Sequence, residues 1–163
     1  MTRRLFFSFD YDRDIMRANQ VRNSWVTQDR EAAGFWDASL WEEAKKKGKA
    51  AIRRMIDEGL ESTSVTAVLI GAETSKSEWV LYEIEKSYER GNGLLGVHIH
   101  MLEDISRSGR TDRKGSPDFG KIGEDRYGNG VYFPGKYGIY DYKPTGYAKL
   151  GEWVEKAARD AGR

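Results

Sequence analysis

Three apolar runs along the chain have the pattern of β-strands buried on both faces. They occupy residues 5–9, 65–70 and 94–99, and near-continuous apolar character is typical of strands inside a parallel sheet. Segments with helical periodicity separate the runs, which predicts right-handed crossovers between parallel strands. The sequence therefore predicts an α/β fold: an open, mostly parallel sheet with helices on both faces and residues 5–9 as its central strand.

Four segments have the apolar periodicity of amphipathic helices. They are residues 12–23, 39–58, 76–90 and 146–161. We expect an Asp to cap the first helix. Ser39 with Glu42 has the spacing of a capping box at the start of the second helix, and Ser75 with Glu78 has it at the start of the third.

The remaining segments carry weaker signals. Residues 103–128 are polar and rich in Ser, Gly and Arg, which predicts a long surface loop or insertion whose deletion leaves the fold intact. Short strands are expected at residues 25–27 and 131–133. Residues 134–143 are rich in Tyr and Gly and are expected to be irregular.

Composition narrows the class of protein. The chain has 163 residues, a net charge of +1 and no Cys, which suits a single domain over residues 1–163 and excludes thiol chemistry and disulfides. Balanced charge argues against a general nucleic-acid binder or a polybasic membrane surface. No run approaches the ~18 apolar residues of a membrane helix, and no signal peptide is visible. We expect a cytoplasmic protein with no nucleic-acid or membrane partner.

Two further motifs are better explained by structural roles than by a dinucleotide-binding site or a metal site. Residues 91–96 match GxGxxG, but they close a helix and enter a strand, the reverse of the order that a dinucleotide fingerprint needs. His98 and His100 project to one face of a strand, yet the chain has no other His and no Cys. We therefore expect a helix end at the glycines and no metal site.

Ligands of open α/β sheets bind at the carboxyl ends of the strands. The sequence places residues 8–12, 70–77 and 98–104 at that edge. Glu83, in the helix that follows the second strand, lies one turn after Trp79 and beside the apolar stripe. Its spacing alone allows either an ion pair with Lys86 or a catalytic carboxylate.

Two segments resemble the sequence boxes of TIR domains. Residues 5–11, Leu-Phe-Phe-Ser-Phe-Asp-Tyr, resemble the first box, and residues 77–83, Ser-Glu-Trp-Val-Leu-Tyr-Glu, resemble the helix in which a Trp precedes the catalytic Glu. Residues 34–41 and 91–100 more narrowly resemble the TIR-like proteins of bacterial Thoeris anti-phage systems, the ThsB type. The likeness covers residues 3–100 well.

This resemblance implies a flavodoxin-like sheet and an enzyme that cleaves NAD at the nicotinamide–ribose bond. It implies a cyclic ADP-ribose-type product that activates a separate effector, with NAD as substrate and no cofactor. Self-assembly or a phage-derived trigger would be further interactions. Glu83 would be the catalytic carboxylate. The expected substrate-binding residues are Ser8, Phe9, Asp10, Trp36, Asp37, Trp41, Ser77 and Trp79.

The implied chemistry suits these side chains. Nicotinamide leaves as a neutral base, so no general acid is needed, and a carboxylate can stabilise the oxocarbenium-like ribose. Aromatic side chains would exclude water, because cyclisation requires the tethered purine to trap the cation.

Two other hypotheses stay open at this point. A non-enzymatic TIR-like module that assembles with other proteins would need neither Trp79 nor Glu83. A flavodoxin-like binding or receiver module would need a phosphate-cradling loop or an acidic phosphoacceptor cluster. Residues 10–12, Asp-Tyr-Asp, resemble such an acidic cluster only faintly.

Overall fold

The computed structural model describes residues 3–36 and 38–163. Its strands are β1 Arg4–Ser8, β2 Glu31–Ala33, β3 Val65–Ile70, β4 Gly93–His98, β5 Lys121–Glu124, β6 Gly130–Tyr132 and β7 Gly138–Asp141. Its α-helices are α1 Tyr11–Val26, α2 Ala38–Lys47, α3 Lys49–Leu60, α4 Glu78–Glu89 and α5 Gly146–Asp160, with short 3₁₀ turns at Thr74–Lys76 and Ile105–Arg107. None of these described helices has the length and apolar character needed to cross a membrane.

The described strands form a five-stranded parallel sheet and a separate antiparallel hairpin. The sheet order is β2-β1-β3-β4-β7, and β5 pairs with β6 in the hairpin. This is the flavodoxin-like order, with the fifth strand supplied by β7. The expected α/β fold is confirmed, but β3 lies at the centre of the sheet. The prediction of β1 as central was wrong because only the short β2 lies beyond it.

Alternation along β1 divides the core between the two faces of the sheet. Leu5 and Phe7 belong to the cluster that α1 and α5 cover, whereas Phe6 packs with residues of α2 and α3. Further along the second face, α4 and the β5–β6 hairpin cover β3 and β4. Ser8 is two residues from Phe6 and therefore shares its face. Ser8 pairs with Val68 of β3 in the strand register.

Helix α1 is longer than the sequence predicted. Asp10 caps it, as expected, by accepting a hydrogen bond from the Asp12 N–H, but residues 25–27 do not form a strand. Trp25 is buried in the last turn, edge-on to Phe7 with ring centroids 6.3 Å apart. The indole N–H donates to the Glu31 carbonyl at 2.9 Å, so this apolar pair anchors a helix end and the adjacent β2.

The segment predicted as one helix at residues 39–58 is two helices. Gly48 has a φ of +104° between α2 and α3, a conformation that breaks the helix and favours glycine. Apolar periodicity continues across this position, so periodicity alone predicts no break. Helix α2 begins at Ala38, which places Ser39 inside its first turn.

The start of α4 also differs from the predicted capping box. Ser75 lies in the 3₁₀ turn Thr74–Lys76, and Ser77 caps α4 by accepting from the Val80 N–H at 3.3 Å. At the other end, Gly91 has a φ of +76° just beyond the helix, which confirms the expected helix end.

The polar segment 103–128 is more than a surface loop. Asp104, Phe119 and Ile122 within it are buried, and β5 packs on α4. The prediction of a surface loop is therefore wrong for these buried residues, and the effect of deleting residues 103–128 stays a prediction. Residues 134–143, expected to be irregular, contain β7.

Candidate active site

Glu83 and Ser8 meet on the buried face of the sheet near the carboxyl end of β1. Glu83 is 5% exposed and Ser8 is fully buried. The Ser8 hydroxyl donates a hydrogen bond to Glu83 Oε1 at 2.8 Å. Strand alternation turns Ser8 toward α4, and the helical spacing turns Glu83 toward the sheet. The two sequence boxes therefore supply a buried polar contact between the sheet and α4.

The environment of Glu83 favours its protonated form. Burial raises the pKa of Glu83 to about 8, and the hydrogen bond from Ser8 acts in the opposite direction. Among the described residues Glu83 has no ion-pair partner, and the ammonium of Lys86 instead lies 3.3 Å from Glu89. The ion-pair interpretation of Glu83 is therefore wrong. A buried carboxyl group with a raised pKa and no cation partner is typical of functional sites.

A second polar contact fixes the backbone of α4 at this point. The Ser87 hydroxyl donates to the Glu83 carbonyl at 2.7 Å and lies 2.7 Å from the Thr66 hydroxyl of β3. Both hydroxyl groups are fully buried. Helix α4 is thus bound to β3 one turn beyond Glu83, which holds the carboxyl group at a set height above the sheet.

Aromatic side chains gather on the same face. Trp41 is buried, and Trp36 and Trp79 pack against the same apolar cluster. The rings of Trp36 and Trp41 are stacked with centroids 6.1 Å apart, and Trp36 lies edge-on to Phe6 at 6.2 Å. We call Tyr11, Trp36, Trp41 and Trp79 the aromatic wall.

Tyr11 also belongs to this wall, although its side chain was not among the residues expected at the site. Its ring stacks on Trp41 with centroids 4.5 Å apart and an interplanar angle of 15°. Its hydroxyl lies 3.2 Å from the Gly34 carbonyl and 3.0 Å from the Trp36 carbonyl, and it also accepts a hydrogen bond from the Trp36 N–H. The only signal in the sequence was its position in the first TIR-like box.

The other expected site residues have varied locations. Phe9 is buried on the opposite face of the sheet, although it stacks on Tyr11 with centroids 4.5 Å apart. The carboxylate of Asp10 and the hydroxyl of Ser77 cap α1 and α4. Burial raises the pKa of Asp10, against hydrogen bonds from backbone N–H groups. Asp37 lies outside the described residues.

The histidine pair does not form a metal site in the described part of the chain. No group of three His, Cys, Asp or Glu side chains there could hold an ion. His98 and His100 are both buried, with ring centroids 5.8 Å apart. Burial and the nearby charge of Lys114 lower the pKa of both rings, which keeps them neutral at physiological pH.

Two cavities lie away from Glu83. One of about 240 Å³ opens at the amino edge of the sheet, where β4 and β7 meet the end of α5. The other, about 310 Å³, lies between α2 and α3. Glu83 lines neither of them. In this conformation Glu83 is buried, 5% exposed, on the face of the sheet that carries the aromatic wall.

Comparison with known proteins agrees with the fold. The family model described as "Thoeris protein ThsB, TIR-like domain" matches residues 6–104, a range that contains Ser8 and Glu83. A Bacillus cereus (strain MSX-D12) protein named "Putative cyclic ADP-D-ribose synthase ThsB1" is 43% identical over 157 residues, which are 95% of this chain and 76% of that protein. The chain belongs to the family of ThsB TIR-like domains from Thoeris systems.

Proposed function

We propose that this protein is an NAD-cleaving signalling enzyme of Thoeris anti-phage defence. It breaks the nicotinamide–ribose bond and releases a cyclic ADP-ribose-type second messenger that activates a separate effector. The observation that carries the proposal is the buried carboxyl group of Glu83, which has only the Ser8 hydroxyl as a side-chain partner among the described residues. Family membership and the name of the Bacillus cereus relative support it.

In the proposed reaction Glu83 acts in its ionised form. The carbon–nitrogen bond to nicotinamide breaks with its electron pair on the departing ring nitrogen, which leaves as a neutral base. Positive charge then moves onto the ribose, where a nearby carboxylate stabilises the transition state more than the ground state. The cationic pyridinium of NAD lowers the pKa of Glu83 as it approaches, because an opposite charge favours the carboxylate.

The second half of the reaction is capture of the ribosyl cation. A nucleophilic atom of the tethered adenosine forms the new bond and loses a proton, which closes the ring of the product. Water competes for the same cation and gives linear ADP-ribose. The aromatic wall lies on the same face as Glu83, and a dry site favours the tethered nucleophile over solvent.

The remaining expected residues belong to the proposal as substrate contacts. They are Ser8, Phe9, Asp10, Trp36, Asp37, Trp41, Ser77 and Trp79. NAD is the substrate and no separate cofactor is needed for this chemistry. Since Glu83 is enclosed, the aromatic wall must move to admit NAD. We include self-assembly or a phage-derived trigger as the cause of that movement, and we place the reaction in the cytoplasm.

Mass spectrometry of nicotinamide and ADP-ribose species tests this function. Wild-type protein, Glu83→Gln and Glu85→Gln are each incubated with NAD, pure and in extracts of phage-infected cells. Glu85 is exposed on the same helix, so Glu85→Gln controls for the loss of a charge from α4. Nicotinamide release by wild type and Glu85→Gln, but not by Glu83→Gln, is the expected result.

Two outcomes would contradict the proposal. Equal nicotinamide release by Glu83→Gln would exclude this carboxylate from the chemistry. Absence of release from infected extracts, together with full anti-phage protection by Glu83→Gln, would favour a non-enzymatic assembly module.

A further inference from the structure

Tyr11 connects three parts of the fold that the sequence keeps apart. It is the first residue of α1 and follows Ser8 by three positions. Its ring lies between Phe9, whose centroid is 4.5 Å away, and Trp41 of α2, also 4.5 Å away. Phe9 is 4% exposed in the core beneath α1. Tyr11 therefore ties the start of α2 to a rigid part of the core.

The hydroxyl of Tyr11 holds a second segment. It lies within hydrogen-bond distance of the Gly34 and Trp36 carbonyls and accepts from the Trp36 N–H. These contacts bind the backbone that follows β2 to the first turn of α1. The hydroxyl donates to one of these carbonyls at a time and accepts from the Trp36 N–H, so it links α1 to the backbone of this segment.

The segment that Tyr11 holds lies on the same face of β1 as the Ser8–Glu83 contact. Trp36 contacts Phe6 edge-on, and Glu83 accepts from Ser8. Phe6 and Ser8 are successive positions on one face of β1, about 7 Å apart at the strand repeat. Trp36 and Trp41 therefore lie on the same face of the sheet as Glu83, about one strand repeat from the Ser8–Glu83 contact.

We propose that Tyr11 is a positioning residue that latches Trp36 and Trp41 in place and thereby sets how the ribosyl cation divides between the tethered adenosine and water. This inference rests on the proposed function. Both routes break the same carbon–nitrogen bond and release nicotinamide. They differ only in the atom that forms the new bond to ribose: an adenosine atom that loses a proton, or a water oxygen that loses one.

Tyr11→Phe is the informative variant, because it keeps the stacked ring and removes only the hydroxyl. Tyr88→Phe is the matched control: its hydroxyl also approaches a backbone carbonyl, that of Glu124 at 3.4 Å, but it lies beside the β5–β6 hairpin. We expect Tyr11→Phe to raise the ratio of linear to cyclic product about fivefold, the effect of one lost hydrogen bond. Tyr88→Phe leaves the ratio as in wild type.

A purely structural role would change the amount of active enzyme but not the product ratio. An unchanged ratio in Tyr11→Phe, with nicotinamide release intact, would therefore overturn the inference while leaving the proposed function in place. If the wild-type protein releases no nicotinamide, that result would instead contradict the proposed function, and with it the proposed effect of Tyr11 on the product ratio.

The latch itself is tested without any turnover. Acrylamide quenching of tryptophan fluorescence reports how easily solvent molecules reach the indole rings. We expect stronger quenching in Tyr11→Phe than in Tyr88→Phe, and the difference should disappear when both variants also carry Trp36→Phe and Trp41→Phe. Equal quenching in the two single variants would contradict the latch.

Discussion

Ser8 and Glu83 are 75 residues apart in the chain, yet the Ser8 hydroxyl donates to Glu83 Oε1 at 2.8 Å in a buried setting. Each residue comes from one of the two segments that resemble TIR boxes. The contact explains why the two segments act together: β1 supplies the donor, and α4 supplies the carboxyl group that follows Trp79 by one turn. Burial and this hydrogen bond act in opposite directions on the pKa of Glu83, and burial is the larger effect.

Activity should rise with pH through the pKa of Glu83. Burial raises that pKa to about 8, and the ionised form is the one that stabilises a ribosyl cation. The value of kcat/KM reports groups of the free enzyme, so we expect it to increase through about pH 8, where half of Glu83 is ionised, and to level off near about pH 9. A flat profile over this range, with the protein folded throughout, would show that Glu83 does not act as the free carboxylate.

The free energy of unfolding should fall as the pH rises, whereas activity rises. The pKa of Glu83 is higher in the folded state than its ordinary value of 4.5, so the folded protein holds a proton that the unfolded chain releases. The stabilising effect of that proton is complete below pH 4.5 and is lost as pH rises toward about 8. Glu83→Gln cannot ionise and should exceed wild type in free energy of unfolding by roughly 2–4 kcal/mol near pH 8.

Urea denaturation of wild type, Glu83→Gln and the exposed control Glu85→Gln at acidic and alkaline pH measures this difference. The advantage of Glu83→Gln should shrink at the acidic end, and Glu85→Gln should show no such trend. A difference that is the same at both pH values would mean that Glu83 is not protonated by burial.

Removing the Ser8 hydroxyl should move the activity profile. Its hydrogen bond lowers the pKa of Glu83 against burial, so Ser8→Ala raises that pKa further and makes the carboxylate scarcer at neutral pH. We expect kcat/KM to fall about tenfold at pH 7 and to recover partly at higher pH. A loss of the same size at every pH would show that Ser8 does not tune the pKa of Glu83.

The buried guanidinium of Arg17 should prove essential for the segment that follows β4. Arg17 is 1% exposed, lies 3.3 Å from Asp14, and donates to the Leu102 and Arg110 carbonyls at 2.9 and 3.0 Å. Arg17→Met leaves buried carboxyl and carbonyl groups without their partner, which should lower the free energy of unfolding by about 3–5 kcal/mol.

Thermal unfolding and hydrogen exchange check the Arg17 prediction. The amides of residues 104–112 should exchange faster in Arg17→Met, whereas the exposed control Arg54→Met should resemble wild type. Unchanged protection of this segment would show that other contacts hold it in place.

The parts of the fold that sequence could predict are those with strong local patterns. Residues 65–70 form a fully buried strand, and their continuous apolar run identified it. Glu83 was chosen as the candidate carboxylate because a Trp lies one turn before it, as in the resembling family, and the structure shows it buried. In both cases the signal lies in a few adjacent side chains.

The parts that could not be predicted depend on backbone conformation or distant contacts. Gly48 divides α2 from α3 through its φ of +104°, while the apolar spacing of the segment continues without interruption. Strand β7 has only half-buried and exposed residues, so its sequence carries no apolar run. This segment becomes a strand because it pairs with β4. Tyr11 acts through backbone atoms of residues 34 and 36, which no local pattern can report.

Under the proposed function, the enclosure of Glu83 would keep the protein inactive until the aromatic wall moves. NAD is abundant in every cell, and an enzyme that destroyed it continuously would harm its host before any phage arrived. If displacement of the aromatic wall costs about 4 kcal/mol, roughly one molecule in a thousand is competent at rest. An activating signal then needs only to bind the opened form more tightly than the closed form. The packing that excludes water from the reaction would also prevent NAD cleavage before infection.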